Sequence, residues 1–354
     1  MQGSATLTRQ AVRTPAPDAA RRGAVLRSVG LLLSLALLAL GLLLSLRVGS
    51  VPLSSTEVIG AFTDFDGSNA HLIVRTLRLP RTLVALAVGS GLAVAGVLLQ
   101  AVTRNPLAEP AILGLNAGAS FAIVTAVFLF GAVSPSAYVW FAFAGALGAV
   151  TVVYLVAAAG RGGPTPVKLA LAGAVVAALL GSWISAILIT NERTLDEVRF
   201  WLAGSVAARD LATLAQVAPF LGLGLLIALV LVPQLDAISL GDDVAKGLGQ
   251  RTGLVRGLAV GTAVALSGAA VAAAGPIGFV GLAVPHAVRA VVGPRHRWLV
   301  PYSAIFGAVL LLVADVLGRV IMRPGEIAVG IVTAVIGAPV LVHLVRSRSL
   351  GERA

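Results

Sequence analysis

The chain has 354 residues, 58% hydrophobic and only 12% charged, with a mean hydropathy of +0.98. A water-soluble domain of that composition would expose far too much apolar surface, so the class is a polytopic membrane protein. The net charge of +11 raises nucleic acid as a partner, but the basic residues lie between apolar runs and do not interleave with aromatics on a polar face, which argues against it. Cysteine is absent, which rules out disulfides and thiolate metal sites and says nothing of compartment.

Residues 1–24, rich in Ala, Arg, Pro and Thr, lack apolar periodicity and are predicted to form a disordered cytoplasmic tail. The apolar run Leu31–Leu46 is long for a signal core, and Arg47-Val48-Gly49-Ser50 offers no small-x-small cleavage site, so the first span is read as uncleaved. Ten apolar runs reach about the 20 residues that cross a hydrocarbon core: 26–46, 79–102, 111–131, 137–159, 168–190, 212–232, 256–274, 276–292, 300–321 and 327–346. Backbone groups in lipid need internal partners and no strand alternation is present, so the fold class is all-α with about ten transmembrane helices. With the N-terminus inside, 17 of the 26 Lys and Arg residues fall on the cytoplasmic side and nine on the outer side, which places both termini in the cytoplasm. Forty glycines, including Gly89, Gly91, Gly96, Gly114, Gly118, Gly145, Gly148, Gly330 and Gly337, predict helices in close backbone contact.

Polar chemistry is concentrated at span ends. Arg75, Arg78 and Arg81, with Pro80 in a first helical turn, put positive charge on one side of the outer mouth of the second span, where snorkelling to headgroups is the plain reading. At the inner corner, Asn105-Pro106 signals a turn and Glu109-Pro110 suits the start of the next helix. The inner loop 233–255 carries Gly241-Asp242-Asp243-Val244-Ala245-Lys246-Gly247-Leu248-Gly249, a short helix that starts at the aspartates and stops at Gly249, facing the cytosol as a docking surface. The glycine-spaced run from Gly275 stops at a polar, basic exit, Pro285, His286 and Arg289, where His286 reads as a helix-end cap and not an iron ligand. Asp315 and Arg319, four apart, read as a structural pair more than a proton relay. His71, His286, His296 and His343 are scattered, no nucleophile sits beside a base, and no phosphate loop is present. An intramembrane enzyme is therefore not expected, nor a cofactor, and the chain cannot bind ATP by a phosphate loop.

Residues 100–120, the 241–249 loop, 275–289, 315–319 and Gly330–Pro339 occur in the order found in the FecCD family, permeases of ABC importers for ferric siderophores, haem and cobalamin, and the chain resembles that family over about residues 25–348. The resemblance implies a cobalamin-permease-like type II importer: a homodimer, or a heterodimer with a paralogue, in the inner membrane, with two cytoplasmic ATPase subunits and an extracytoplasmic binding protein. It implies that Arg78, Arg81 and Arg319 receive carboxylates of the binding protein, that Gly241, Asp242, Asp243, Ala245, Lys246, Leu248 and Gly249 couple to the ATPase, and that Asn105, Pro106, Glu109, Pro285, His286 and Arg289 form inner-gate or corner motifs. One departure is Pro324-Gly325-Glu326 where the family commonly has Glu-Leu-Pro, which puts the turn beside Arg319 in question. The stretches 198–205 and 337–341 look most like enterobactin-type permeases, so ferric siderophore is expected ahead of cobalamin or haem. The rival class is an ion-coupled secondary transporter, which needs costly intramembrane ionisable groups, and Asp315 is the main candidate.

Overall fold

Every apolar run becomes a helix in the computed structural model, which describes residues 17–131, 134–159, 163 and 165–351. Among these residues there is no strand; seven helices are long and apolar enough to cross a membrane and three shorter apolar ones complete the expected set. The first, α1 (Pro17–Arg47), begins inside the segment read as a tail, where Pro17 suits a first turn and the following alanines and arginines favour helix. Residues 1–16 of that segment lie outside the described residues.

Two short helices follow, α2 (Ser55–Thr63) and α3 (Asn69–Leu72). A capping box starts α2: the Ser54 hydroxyl accepts from the Glu57 N–H and the Glu57 carboxylate accepts from the Ser54 N–H at 2.7 Å. A π-helical stretch, Ile73–Arg78, then runs without a break into α4 (Leu79–Thr103). After the 3₁₀ turn Pro110–Leu113 come α5 (Leu115–Phe130), α6 (Pro135–Ala158), α7 (Pro166–Thr190), the amphipathic α8 (Glu192–Leu202) and α9 (Leu211–Val230). The loop expected over 233–255 is itself largely helical, holding most of α10 (Val232–Ser239) and all of α11 (Asp242–Gly247) before α12 (Thr252–Ala274). The chain ends with α13 (Val280–Val292), α14 (His296–Ile321) and α15 (Val329–Gly351).

Helix α4 is the axis of the bundle and packs on α14, α12, α13 and α9, while α5, α6 and α7 form a neighbouring group. Lipid tails are as apolar as leucine, so close approach, not burial, selects these contacts. At Gly96 an added methyl would overlap the Gly281 carbonyl of α13, and at Gly89 it would overlap the Gly307 carbonyl of α14. Gly118 and Gly145 meet in the same way between α5 and α6, whereas Gly148, expected to share that role, faces open space. Leucines and valines on α1 and α7, among them Leu33, Leu171 and Val175, stay exposed on the flanks, as suits a lipid-facing surface.

The eighth span departs from expectation. Residues 275–279 are not helical, with Gly275 at φ +75° and Phe279 at φ +68°, and α13 starts only at Val280. Pro285 and His286 then sit inside α13 and not at its end, because the helix continues to Val292 before Gly293 stops it. The non-helical backbone is covered by protein: the Phe279 N–H donates to Glu109 Oε1 at 2.8 Å, Gly275 packs against the Trp201 carbonyl, and Pro276 packs against Gly204. Irregular backbone at such a depth persists only where protein supplies the partners.

Candidate functional site

Two polar clusters lie at opposite ends of α4. At its start, α1 terminates, and the last four carbonyls of a helix have no intrahelical donor. Here each finds one. Leu44 accepts from the Val48 N–H at 2.8 Å, Ser45 from Arg319 Nη1 at 3.0 Å, Leu46 from Arg78 Nη1 at 2.8 Å and Arg47 from the same Nη1 at 2.7 Å. Arg78 Nη2 also donates to Val51, and Arg319 Nη1 to Val48 at 2.9 Å. Two cations thus cap the negative end of the α1 dipole.

The same arginines join an ion-pair network. Arg81 donates to Asp315 through Nε at 2.9 Å and Nη2 at 2.7 Å, and to Glu326 through Nη1 at 2.7 Å. Arg319 reaches the other Asp315 oxygen at 2.9 Å. The expected Asp315–Arg319 pair therefore forms and is widened by Arg81 from α4. Glu326 supplies its carboxylate despite the altered order of proline and glutamate. Arg78, Arg81 and Arg319 are brought together, as their assignment to one surface requires, but each guanidinium is engaged within the chain. All three line a cleft of about 500 Å³ with Glu326, Asp210 and Arg209. Arg209 was not singled out by the sequence, where it is one more basic residue between spans. Ser45 was legible in principle, as a polar residue in an apolar run that needs a partner.

At the other end of α4, Arg104 closes the helix at φ +51° and its Nη2 donates to the Ile238 carbonyl of α10 at 2.9 Å. Asn105 makes the expected turn: its side-chain oxygen accepts from the Leu107 N–H at 3.0 Å and its carbonyl from the Ala108 N–H at 3.1 Å, with Pro106 between. Glu109 does more than start a helix. Its Oε1 accepts the Phe279 N–H at 2.8 Å, so a carboxylate sits at the head of α13. Gln100 Nε2 donates to Gly281 at 3.1 Å and Gln100 Oε1 accepts from Arg289 at 3.0 Å, which ties Arg289 to α4. Pro285 is buried in the interior of α13, one residue before His286.

Burial pushes the Glu109 carboxyl up from 4.5 to about 6, against the opposing hydrogen bond from Phe279. Because the folded-state value is the higher one, this group's stabilisation belongs to the protonated form, complete below 4.5 and lost as pH rises through about 6. That amounts to about 2 kcal/mol. Thermal unfolding in detergent at pH 4.5 and 7.5 should show a smaller pH dependence for Glu109→Gln than for the wild type; equal dependence would contradict this role.

Beside the corner, α10 is fixed by Asp236, whose Oδ1 accepts the His296 N–H at 2.8 Å and lies 2.8 Å from the His296 ring. The short helix expected at the aspartates is α11, with Gly241 at φ +123° before it and Gly249 at φ +80° after it. The side chain of Asp242 lies outside the described residues, as does that of His343. Ala245 is fully buried and anchors α11, while Asp243 and Lys246 face outward. Leu240, Val244 and Leu248, four apart, are 68%, 48% and 65% exposed, an apolar stripe outside the spans. Among the described residues no group of three or more His, Asp or Glu side chains could hold a metal ion.

A bundle of ten apolar helices packed around a central glycine-rich span, with polar clusters at both ends of that span among the described residues, is the architecture of a polytopic membrane protein. Residues 37–347 match the FecCD transport family, and the chain belongs to that family. It is 47% identical over 302 residues to a probable siderophore transport system permease protein of Bacillus subtilis (strain 168), covering 85% of this chain and 91% of that one. It is 44% identical to the ferric enterobactin transport system permease protein of Escherichia coli (strain K12), covering 93% and 98%. Its fold is similar to a solved structure described as an inward-facing conformation of a metal-chelate type ABC transporter, with a TM-score of 0.78, 31% identity and coverage of 90% and 98%.

Proposed function

We propose that this chain is the permease subunit of an ATP-driven importer that moves a ferric siderophore across the cytoplasmic membrane by alternating access. The observation that carries this reading is family membership over residues 37–347 together with relatives, 44–47% identical, named as siderophore and ferric-enterobactin permeases. Charge asymmetry supports both termini in the cytoplasm. The arginine end of α4 is then the outer face and the α10–α11 end the cytoplasmic one.

The chain works with a second permease, itself or a paralogue, along whose shared interface the chelate passes. The apolar stripe Leu240, Val244 and Leu248 supports an ATPase docked on α11, since exposed leucines outside lipid call for a protein partner. ATP binds on that subunit, and closure of the ATPase pair pulls on α10 and α11 to switch the bundle between two states. A binding protein delivers the chelate to the outer cleft. Asp315, bonded to two arginines from two helices, is poorly placed as a proton relay, which disfavours ion-coupled transport.

The test is uptake of radioiron-labelled ferric enterobactin by proteoliposomes holding this chain, a partner permease and the ATPase, with and without binding protein. Uptake that needs both ATP and the binding protein, and that is abolished by Leu248→Glu, is the expected result. Uptake driven by a proton gradient alone would overturn the assignment, and competition by cobalamin or haem would redirect the substrate.

A further inference from the structure

The group of helices around α4 meets the group α5–α7 along α6 and α12, and this seam holds a second cleft of about 740 Å³. Its lining changes character along its length. Arg256 near the start of α12, Tyr154 and Thr151 near the end of α6, and Thr103 in the last turn of α4 stand at the end of the bundle that carries α10 and α11. Deeper in, the cleft is lined by Phe143, Val264, Ala265 and Gly268, and is apolar throughout. Among the described residues that line it, Arg256 is the only charged one.

The α12 wall is bare. Gly253, Gly257 and Gly261 fall four apart on one face of the helix, with Ala265 next in the row, and a Cβ added at any of the three glycines would meet nothing within 4 Å. At Gly89 and Gly96 the same residue type lies against the backbone of a neighbouring helix; here the glycine face leaves a trough. Residues 253–268 cover about 22 Å of helix, more than half of a hydrocarbon core about 30 Å thick. Leu147 and Tyr154 on its α6 side are 52% and 54% exposed, so the trough opens sideways along the flank of the bundle. A cation at the membrane surface followed by an apolar channel towards mid-bundle is the complement of a phospholipid, and basic pockets between spans on the cytoplasmic side suit anionic headgroups. A helix of another subunit could also cover a glycine face, but it would have to bring a carboxylate to meet Arg256, whereas a phospholipid carries its phosphate at the right end.

We infer that this cleft binds an anionic phospholipid of the cytoplasmic leaflet, with the phosphate on Arg256 and one acyl chain lying in the trough along Gly257, Gly261 and Ala265. The chain fills the seam between the two helix groups. This inference rests on the orientation argued above and is independent of the substrate.

The experiment uses the full complex purified in a mild detergent, with native mass spectrometry to count retained lipid and thermal unfolding followed on addition of phosphatidylglycerol, phosphatidylcholine or inorganic phosphate. The wild type should retain phosphatidylglycerol, and its midpoint should rise with that lipid more than with phosphatidylcholine. Arg256→Gln should retain at least fivefold less phosphatidylglycerol, and Arg256→Lys should keep most of it, since an ammonium still meets a phosphate. Gly261→Leu fills the trough and should abolish retention. Its midpoint without added lipid should stay at or above that of the wild type, because the new side chain enters open space and relieves the helix penalty of glycine. Equal retention by the wild type, Arg256→Gln and Gly261→Leu would overturn the inference. So would a midpoint raised as much by inorganic phosphate as by phosphatidylglycerol, which would leave an anion site without a chain. Disulfide-linked pairs formed by Gly261→Cys in membranes would give the glycine face to a second copy of this chain and overturn it as well. None of these outcomes touches the importer reading, which stands or falls on the uptake assay.

Discussion

Asp315→Ala is expected to destabilise the protein by about 3–5 kcal/mol, the cost of breaking a buried ion pair and leaving its partners behind. The side chain is 1% exposed and holds two guanidiniums from different helices, Arg81 of α4 and Arg319 of α14 itself. Removing it leaves both cations facing each other without their shared carboxylate. Arg81 would retain Glu326, and Arg319 would retain the Ser45 and Val48 carbonyls, so the end of α1 should hold longer than the α4–α14 contact. Thermal unfolding in detergent measures the loss. Asp315→Asn, which keeps the shape and one acceptor, should fall between; a variant as stable as wild type would mean that the network is not a stabilising one.

Gly96→Val should be at least as damaging, for a reason of shape alone. A Cβ at Gly96 meets the backbone of Gly281, not a side chain, so no rotamer change relieves it and the two helices must part. Overpacking of cores costs about 1–3 kcal/mol where side chains can shift, and a backbone contact sits above that range. Parting α4 from α13 also lengthens the Gln100–Gly281 hydrogen bond. The expected outcome is loss of the monodisperse peak on size exclusion. Gly148→Ala is the matched control: with open space around it, it should be neutral or gain up to about 1 kcal/mol from helix propensity.

Much of this was legible in the sequence because lipid leaves the chain few options. A run of about 20 apolar residues in lipid is driven to be helical, and each of the ten runs holds a helix, the eighth starting late at Val280. Glycine clusters announced close packing, correctly at Gly89, Gly96, Gly118 and Gly145, but a glycine pattern cannot say which face meets a neighbour, and Gly148 met none. The late start of α13 was hidden because Gly275–Phe279 is apolar whether or not it is helical. The helix of α10 was hidden for the opposite reason, as its mixed composition reads as loop.

The arginines show where the limit lies. Their position at span ends was plain, and so was the four-residue spacing of Asp315 and Arg319. Their partners were not, because the carbonyls of Ser45, Leu46 and Arg47 become acceptors only when α1 ends beside them. Charge at a mouth reads as a surface feature in sequence, and in the fold Arg78, Arg81 and Arg319 bond within the chain.

The turn between α4 and α5 has a mechanical side. It is bonded at Arg104 to the Ile238 carbonyl of α10 and at Glu109 to the Phe279 N–H that opens α13, and in between its own hydrogen bonds from Leu107 and Ala108 back to Asn105 keep it stiff. A short stiff strut pinned at both ends cannot absorb displacement. The six residues from Arg104 to Glu109 therefore tie α10 and the head of the half-length helix α13 to one short bridge, so that neither element is anchored independently of the other.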